Sequence, residues 1–339
     1  MFCRRSTPPR NTPVGAGVTE GEYNQRMIEH RFRFILPFSL LIAILAVSTA
    51  SIFIRFAQTD GAPSLVIAAL RLTFATLLLT PVALTRHRTE IKGLTRNQIT
   101  LGVISGLFLA VHFATWISSL EYTSVASSVV FVSTGPLWVA LLSPMLLNEK
   151  LTRAAIVGLG LAILGGAAIG LSDACIIQNG IRCPQLGQVM QGRAMWGNFL
   201  ALAGAWAVTG YLIIGRKLRG GMSLIPYIFL VYGMAAAALL VIMFAAGHSP
   251  FGYEMKTYGW IFLLAAVPQL IGHSTYNWLL KRLSATLVAV TTLAEPIGSA
   301  FLAFIVLDEV PKAPVVVGGL TILAGIYLVA RQPRDTTQP

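Results

Sequence analysis

The sequence predicts an all-α integral membrane protein. It would have ten transmembrane helices, arranged as two five-helix repeats of inverted topology. Three observations carry this: composition, an internal duplication, and the sidedness of the basic residues. Of 339 residues, 55% are hydrophobic and 11% charged, and mean hydropathy is +0.72. A soluble domain carries about a quarter charged residues, so this chain cannot cover its surface with charge. The stretch 133–166, STGPLWVALLSPMLLNEKLTRAAIVGLGLAILGG, recurs as 293–326, LAEPIGSAFLAFIVLDEVPKAPVVVGGLTILAGI. Pro136 matches Pro296, Leu147 matches Leu307, Glu149 matches Glu309, Gly158 matches Gly318 and Gly165 matches Gly325, always 160 positions apart. Pro and Glu are rare in apolar sequence, so an ungapped match of this length marks a duplicated half.

Residues 1–34 are polar and rich in Pro and Arg, and read as a disordered cytoplasmic tail without the apolar core of a signal peptide. Met27 leads directly into the first span and is a candidate start alongside Met1. Ten apolar runs follow, at about 35–55, 64–84, 99–120, 122–147, 152–172, 195–215, 222–247, 257–279, 283–307 and 314–331. Each approaches or exceeds the roughly 20 residues that cross the hydrocarbon as a helix. The first repeat is read as 35–172, an outer loop as 173–194, the second repeat as 195–331, and 332–339 as a second cytoplasmic tail.

The 25 Lys and Arg residues decide orientation. Nineteen fall in the N-terminal tail, the loops near residues 90, 150, 218 and 282, and the C-terminus. Five fall on the other side: Arg55, Arg182, Arg193, Lys256 and Lys312. The positive-inside rule then puts both termini in the cytoplasm. The net charge of +12 is thus a topology signal spread between apolar runs, and nucleic acid is not an expected partner. Because each half has five spans, the second enters from the opposite side, the inverted-repeat plan common among secondary transporters.

The Pro–Glu segment followed by a Gly-bearing helix occurs twice. Each copy follows a Ser-rich helix start, Thr123-Ser124-Val125-Ala126 and Leu283-Ser284-Ala285-Thr286, and Ala68-Ala69-Leu70-Arg71 opens the second span. With these residues, positions 36–330 resemble the EamA family of the drug/metabolite transporter (DMT) superfamily. The resemblance implies a gradient-driven carrier in the cell membrane, often an exporter of amino acids or other small metabolites. Two positions depart from the duplication. Tyr232 lies near the place that Arg71 holds in the first half, and Glu295 precedes Pro296 where the first half has Gly135.

Glu295 is the one carboxylate deep in a span. An ionisable group at that depth ordinarily faces a bundle interior or a water cavity, and it is the candidate carrier of a coupling proton. Thr291 and Ser299, four residues to either side, would share its helical face. Pro296 would free a backbone carbonyl one turn earlier. Gln269, His273 and Asn277 recur every four residues and form one stripe, bordered by Tyr276; His112 and Trp116 have the same spacing in the third span. Polar groups among aromatics suit a site for a small amphiphilic solute; interhelical hydrogen bonding is the plainer alternative. Arg71 can snorkel outward, pair with an acid or take a substrate carboxylate. Trp206 and Tyr211 either line the site or pack. Glu149 and Glu309 end their spans and read as caps. Gly166 and Gly170, with Gly158, Gly318, Gly319 and Gly325, offer close helix approach, either within the chain or at a homodimer contact.

The function expected is secondary transport of a small organic metabolite by alternating access, with the proton as candidate coupling ion. The alternatives are a flippase for a lipid-linked or polyprenyl-linked substrate and a membrane-embedded enzyme. No HExxH, GxSxG or nucleotide-binding loop is present, so catalysis, a metal and a cofactor are not expected. The partners expected are the small-molecule substrate and the lipid bilayer.

Reporter fusions near residues 90 and 218 should read as cytoplasmic and one near 185 as external; 90 and 185 on the same side would defeat the inverted-repeat reading. Cys175 and Cys183 share the outer loop, where a disulfide persists, whereas Cys3 lies on the reducing side. Mass mapping without reductant should find Cys175 bonded to Cys183, and two free thiols would refute the bridge.

Overall fold

The computed structural model of the protein describes residues 35–123, 128, 131–132, 134–174, 176–177, 181–182, 192–307 and 313–330. Both tails, Cys175, Cys183, Glu309 and the side chain of Ser299 lie outside the described residues. The chain divides into two compact units, Met1–Ser39 and Leu40–Pro339. Of the first, residues 35–39 are described and are helical; the rest of the described chain belongs to the second.

The described residues are almost wholly helical. In order they form α1 (Ile35–Thr59), α2 (Ser64–Arg86), α3 (Arg88–Lys92), α4 (Arg96–Ser119), α5 (Gly135–Leu146) and α6 (Arg153–Ala174). A two-residue antiparallel pair follows, β1 (Ile176–Ile177) with β2 (Ile181–Arg182). Then come α7 (Gly192–Arg219), α8 (Leu224–Ala245), α9 (Met255–Leu264), a π-helical stretch (Ala265–His273), α10 (Ser274–Leu279), α11 (Ala285–Thr292), α12 (Glu295–Leu307) and α13 (Ala313–Ala330).

Among the described residues five helices are long and apolar enough to cross a membrane: Ile35–Thr59, Ser64–Arg86, Arg96–Ser119, Met195–Arg219 and Leu224–Ala245. Two of the other expected spans are interrupted. The run 257–279 is divided by its π-helical stretch, which contains Pro268. The run 283–307 is two helices, α11 and α12, with a turn at Leu293–Ala294. The same turn stands before α5. Thr134 N donates to Phe131 O at 3.2 Å and Leu137 N to Thr134 O at 2.9 Å. In the other half Ala294 N donates to Thr291 O at 3.1 Å and Ile297 N to Ala294 O at 3.1 Å. These are the same bonds 160 residues apart. Pro136 and Pro296 each fall at the second residue of the helix that restarts. There the missing N–H leaves no carbonyl orphaned, so Pro296 begins a helix and does not kink one.

Packing repeats the duplication. α6 packs on α13, α2 on α8, α4 on α7, α1 on α9, α4 on α8, and α2 on the π-helical stretch. Replacing each helix by its copy 160 residues away maps this set onto itself. The tightest approach joins α6 and α13. A Cβ built at Gly158 would stand 2.6 Å from Gly325 O, and one at Gly165 would stand 2.5 Å from Gly318 O. The lower number of one helix meets the higher number of the other, so these two copies run antiparallel. Gly158, Gly165, Gly318 and Gly325 are therefore spent inside the chain and are not a dimer contact.

Carboxylates cap helices, two of them across the repeat. Glu149 Oε2 accepts from Ala285 N at 3.0 Å, at the start of α11, and Glu149 Oε1 accepts from Arg216 Nε at 2.7 Å. Asn148, at φ 55°, turns the chain so that this carboxylate can reach them; Asn is one of the few side chains that tolerates the left-handed region. Glu121 accepts from Ser64 N at 3.3 Å at the start of α2. Glu90 accepts from Ser223 N at 2.8 Å and from the Ser223 hydroxyl, just ahead of α8. Burial pushes the Glu90 carboxyl up, but the Ser223 and His87 hydrogen bonds outweigh it and hold the group below the usual carboxylate range.

The glycine contact yields a paired prediction. Gly165→Ala forces backbone apart and should cost on the order of 2–3 kcal/mol. Gly160→Ala, in the same helix with nothing within 4 Å, should stabilise slightly, by up to about 1 kcal/mol, through helix propensity. Thermal melting of the detergent-solubilised protein compares the two, and equal melting temperatures would show that the glycine contact is not needed for packing.

Candidate functional site

The outer faces of these helices present Leu77, Leu84, Leu164, Val241, Phe244 and Phe301. Polar groups gather instead at the centre. Arg71, in α2, is fully buried. Its Nε donates to Gln269 Oε1 at 2.9 Å, and its guanidinium carbon stands 4.1 Å from the Phe113 ring centre. Among the described residues neither Arg71 Nη1 nor Nη2 has a hydrogen-bond partner, nor has Gln269 Nε2.

Gln269 reaches Arg71 from the π-helical stretch. A π turn is wider than an α turn and recurs at functional sites. The widening also resets the expected stripe, because residues four apart no longer stand one above the other. Gln269 and Asn277 are fully buried, while His273 is partly exposed. Asn277 belongs to a second network. Tyr211 Oη donates to Asn277 Oδ1 at 2.8 Å, and Asn277 Nδ2 lies 3.3 Å from Tyr232 Oη. The Tyr232 hydroxyl also lies 3.3 Å from Ser274 Oγ and 3.5 Å from Gln269 O. This chain of bonds ties α7, α8 and the π-helical stretch together.

Aromatic rings fill the space beside Arg71. His112 lies 4.9 Å from Phe113 and stacks on Trp116 at 5.9 Å, and Phe113 meets His273 edge-on at 5.6 Å. His112 Nδ1 pairs with Gly204 O at 2.9 Å, the interhelical bond that was the plainer alternative. Trp116 Nε1 and the Tyr276 hydroxyl are buried and have no partner among the described residues.

Glu295 is the first residue of α12 and partly buried. The positive end of a helix dipole favours an acid there. Its backbone oxygen accepts from Ser48 Oγ at 3.1 Å. Thr291 does not share its helical face: the turn at 293–294 separates them, and the Thr291 hydroxyl donates to Val288 O at 2.7 Å. Tyr211 joins the central network. Trp206 is 43% exposed and packs edge-on against Trp138 and Phe199, so it faces away from that network.

Three central residues escaped the sequence reading of the site. Phe113 hides next to His112 as one more apolar residue. Tyr232 stands one residue past the copy of Arg71 at position 231, and the sequence marks it only as a departure from the duplication. Ser274 follows His273 without any pattern to mark it. Among the described residues no group of three or more His, Cys, Asp or Glu side chains is placed to hold a metal. The assembled chemistry is a set of buried hydrogen-bond donors with one acid beside it.

The comparisons with known proteins match this architecture. The profile of the EamA-like transporter family matches twice, over residues 35–171 and 195–331. Two relatives from Archaeoglobus fulgidus, each named an uncharacterized transporter, are 22% identical over 68% of this chain and 75% of theirs, and 23% identical over 78% and 88%. A solved crystal structure superposes with a TM-score of 0.68 over 86% of this chain and 94% of that one; at 19% identity the likeness concerns the fold alone. Two tandem matches, helices long and apolar enough to cross a membrane and relatives named as transporters lead to one conclusion: the chain is a multi-pass membrane transporter belonging to the EamA-like transporter family.

Proposed function

We propose that the protein is a secondary carrier that exports a small organic metabolite across the cell membrane by alternating access. In this reading ten spans form two oppositely oriented halves, 35–172 and 195–331, with both termini cytoplasmic, a loop at 173–194 outside and the two tails inside. The antiparallel packing of α6 on α13 supports opposite orientation. The matching turns before Pro136 and Pro296 support discontinuous helices at the repeat interface, where carriers of this plan place their sites. The candidate substrate residues are Arg71, Gln269, His273, Tyr276, Asn277, His112, Trp116 and Tyr211.

The observation that carries the coupling is the position of Glu295. It begins a helix at the turn of the second half, and its backbone oxygen accepts from Ser48 Oγ of the first half. The first half has Gly135 at the matching place. A carboxylate on one side only of a symmetric pair can take a proton from one face and release it to the other as the halves rock.

Glu295→Gln keeps the shape of the side chain and its hydrogen bonding but cannot ionise. The variant should fold and insert, still bind substrate, and lose accumulation driven by a pH gradient in proteoliposomes. Glu149→Gln should lower the melting temperature instead, since it weakens the Arg216 pair and the cap on α11, and should leave coupling intact. Parental accumulation by Glu295→Gln under a gradient would make Glu295 structural.

A further inference from the structure

We infer that Arg71 and Gln269 form a subsite for a carboxylate, and that the transported solute is therefore a small organic acid anion or a zwitterion. This rests on the carrier reading and names what that carrier binds.

Donors outnumber acceptors around Arg71. A guanidinium has five N–H groups and no acceptor, and Gln has one acceptor oxygen and two amide N–H groups. Gln269 Oε1 takes the Arg71 Nε proton. That bond also fixes the amide: a donor cannot face a donor, so Gln269 Nε2 points elsewhere. What remains is the Nη1–Nη2 end of the fork and the Gln269 amide nitrogen, all without partners among the described residues. Phe113 covers the guanidinium at 4.1 Å and holds its plane. The result is a flat donor edge, fully buried.

A buried cation left without acceptors is costly. Something with paired acceptor oxygens has to complete it in part of the cycle. A carboxylate matches the fork with two parallel N–H···O bonds. Glu295 is the internal competitor, because its charge also acts on Arg71. A tetrahedral phosphate is the other anion that such a fork accepts, so the experiment separates all three.

The test uses the full chain in detergent, with 3-phenylpropionate against 3-phenylpropionamide, leucine against leucinamide, and inorganic phosphate, read by thermal shift. At least one acid should stabilise the parent, with its amide at least about tenfold weaker, the scale of a lost charge-assisted hydrogen bond. Arg71→Lys cannot make two parallel bonds and should weaken the acid by about tenfold or more. Gln269→Leu releases the guanidinium and should weaken it too. Acid and amide bound alike, no acid bound at millimolar concentration, or phosphate bound in place of the acids each overturn the subsite. So does Arg71→Lys binding the acid as the parent does. If Arg71→Gln fails to fold and Glu295→Gln restores it, while the parent does not prefer acids, Arg71 serves Glu295 alone. Acids bound but not moved across proteoliposomes leave the subsite standing and sink the carrier reading. Acids and amides moved alike do the reverse.

Discussion

A bilayer supplies no hydrogen bonds, so each backbone group inside it has to find its partner in the protein. The irregular parts of this chain obey that constraint. The turns at Thr134 and at Leu293–Ala294 keep these N–H groups paired through short-range bonds to the preceding turn. The π-helical stretch joins α9 to α10 in the chain and packs on α2. Regular helices with Leu, Val and Phe outward form the perimeter. Irregular backbone and polar side chains are thereby driven to the same place, the interior, where Arg71, Gln269, Asn277 and Tyr232 meet. The concentration of polar groups at the centre is thus a consequence of the solvent as well as of function.

The close contact of α6 with α13 answers the same constraint. Apolar side chains gain little by leaving lipid for one another, so helices associate through shape and close approach. Gly158, Gly165, Gly318 and Gly325 let two backbones touch. The duplication makes this economical, since a glycine placed twice in sequence serves on both sides of one antiparallel contact.

Much of this was legible in the residues. The Pro–Glu segments exposed the duplication, and constant spacing gave the pairing of copies. Glu149 read as a cap and does cap α11. Arg71, Gln269, Asn277 and Tyr211 were picked out as polar or aromatic residues where neither should be common, and they are buried together. The local geometry was not legible. Spacing of four assumes an α-helix, and the π-helical stretch broke that assumption for Gln269 and His273. Pro296 looked like a mid-helix kink because nothing in sequence separates a proline that bends a helix from one that starts it. Thr291 was lost for the same reason. Trp206 packs, one of the two readings its sequence allowed, since an aromatic suits a lipid-facing surface as well as a cavity wall.

The two halves are alike in scaffold and unlike in charge. Arg71 has no counterpart at position 231, which is Val, and Glu295 has none at position 135, which is Gly. In a carrier whose two access states interchange the conformations of its halves, identical halves would make those states mirror one another in energy. In the carrier proposed above, each exchange would carry a cation-bearing helix and an acid-bearing helix into the places of neutral ones. The two states would then share a scaffold and differ in charge, and these two unmatched side chains would give the empty protein a resting side.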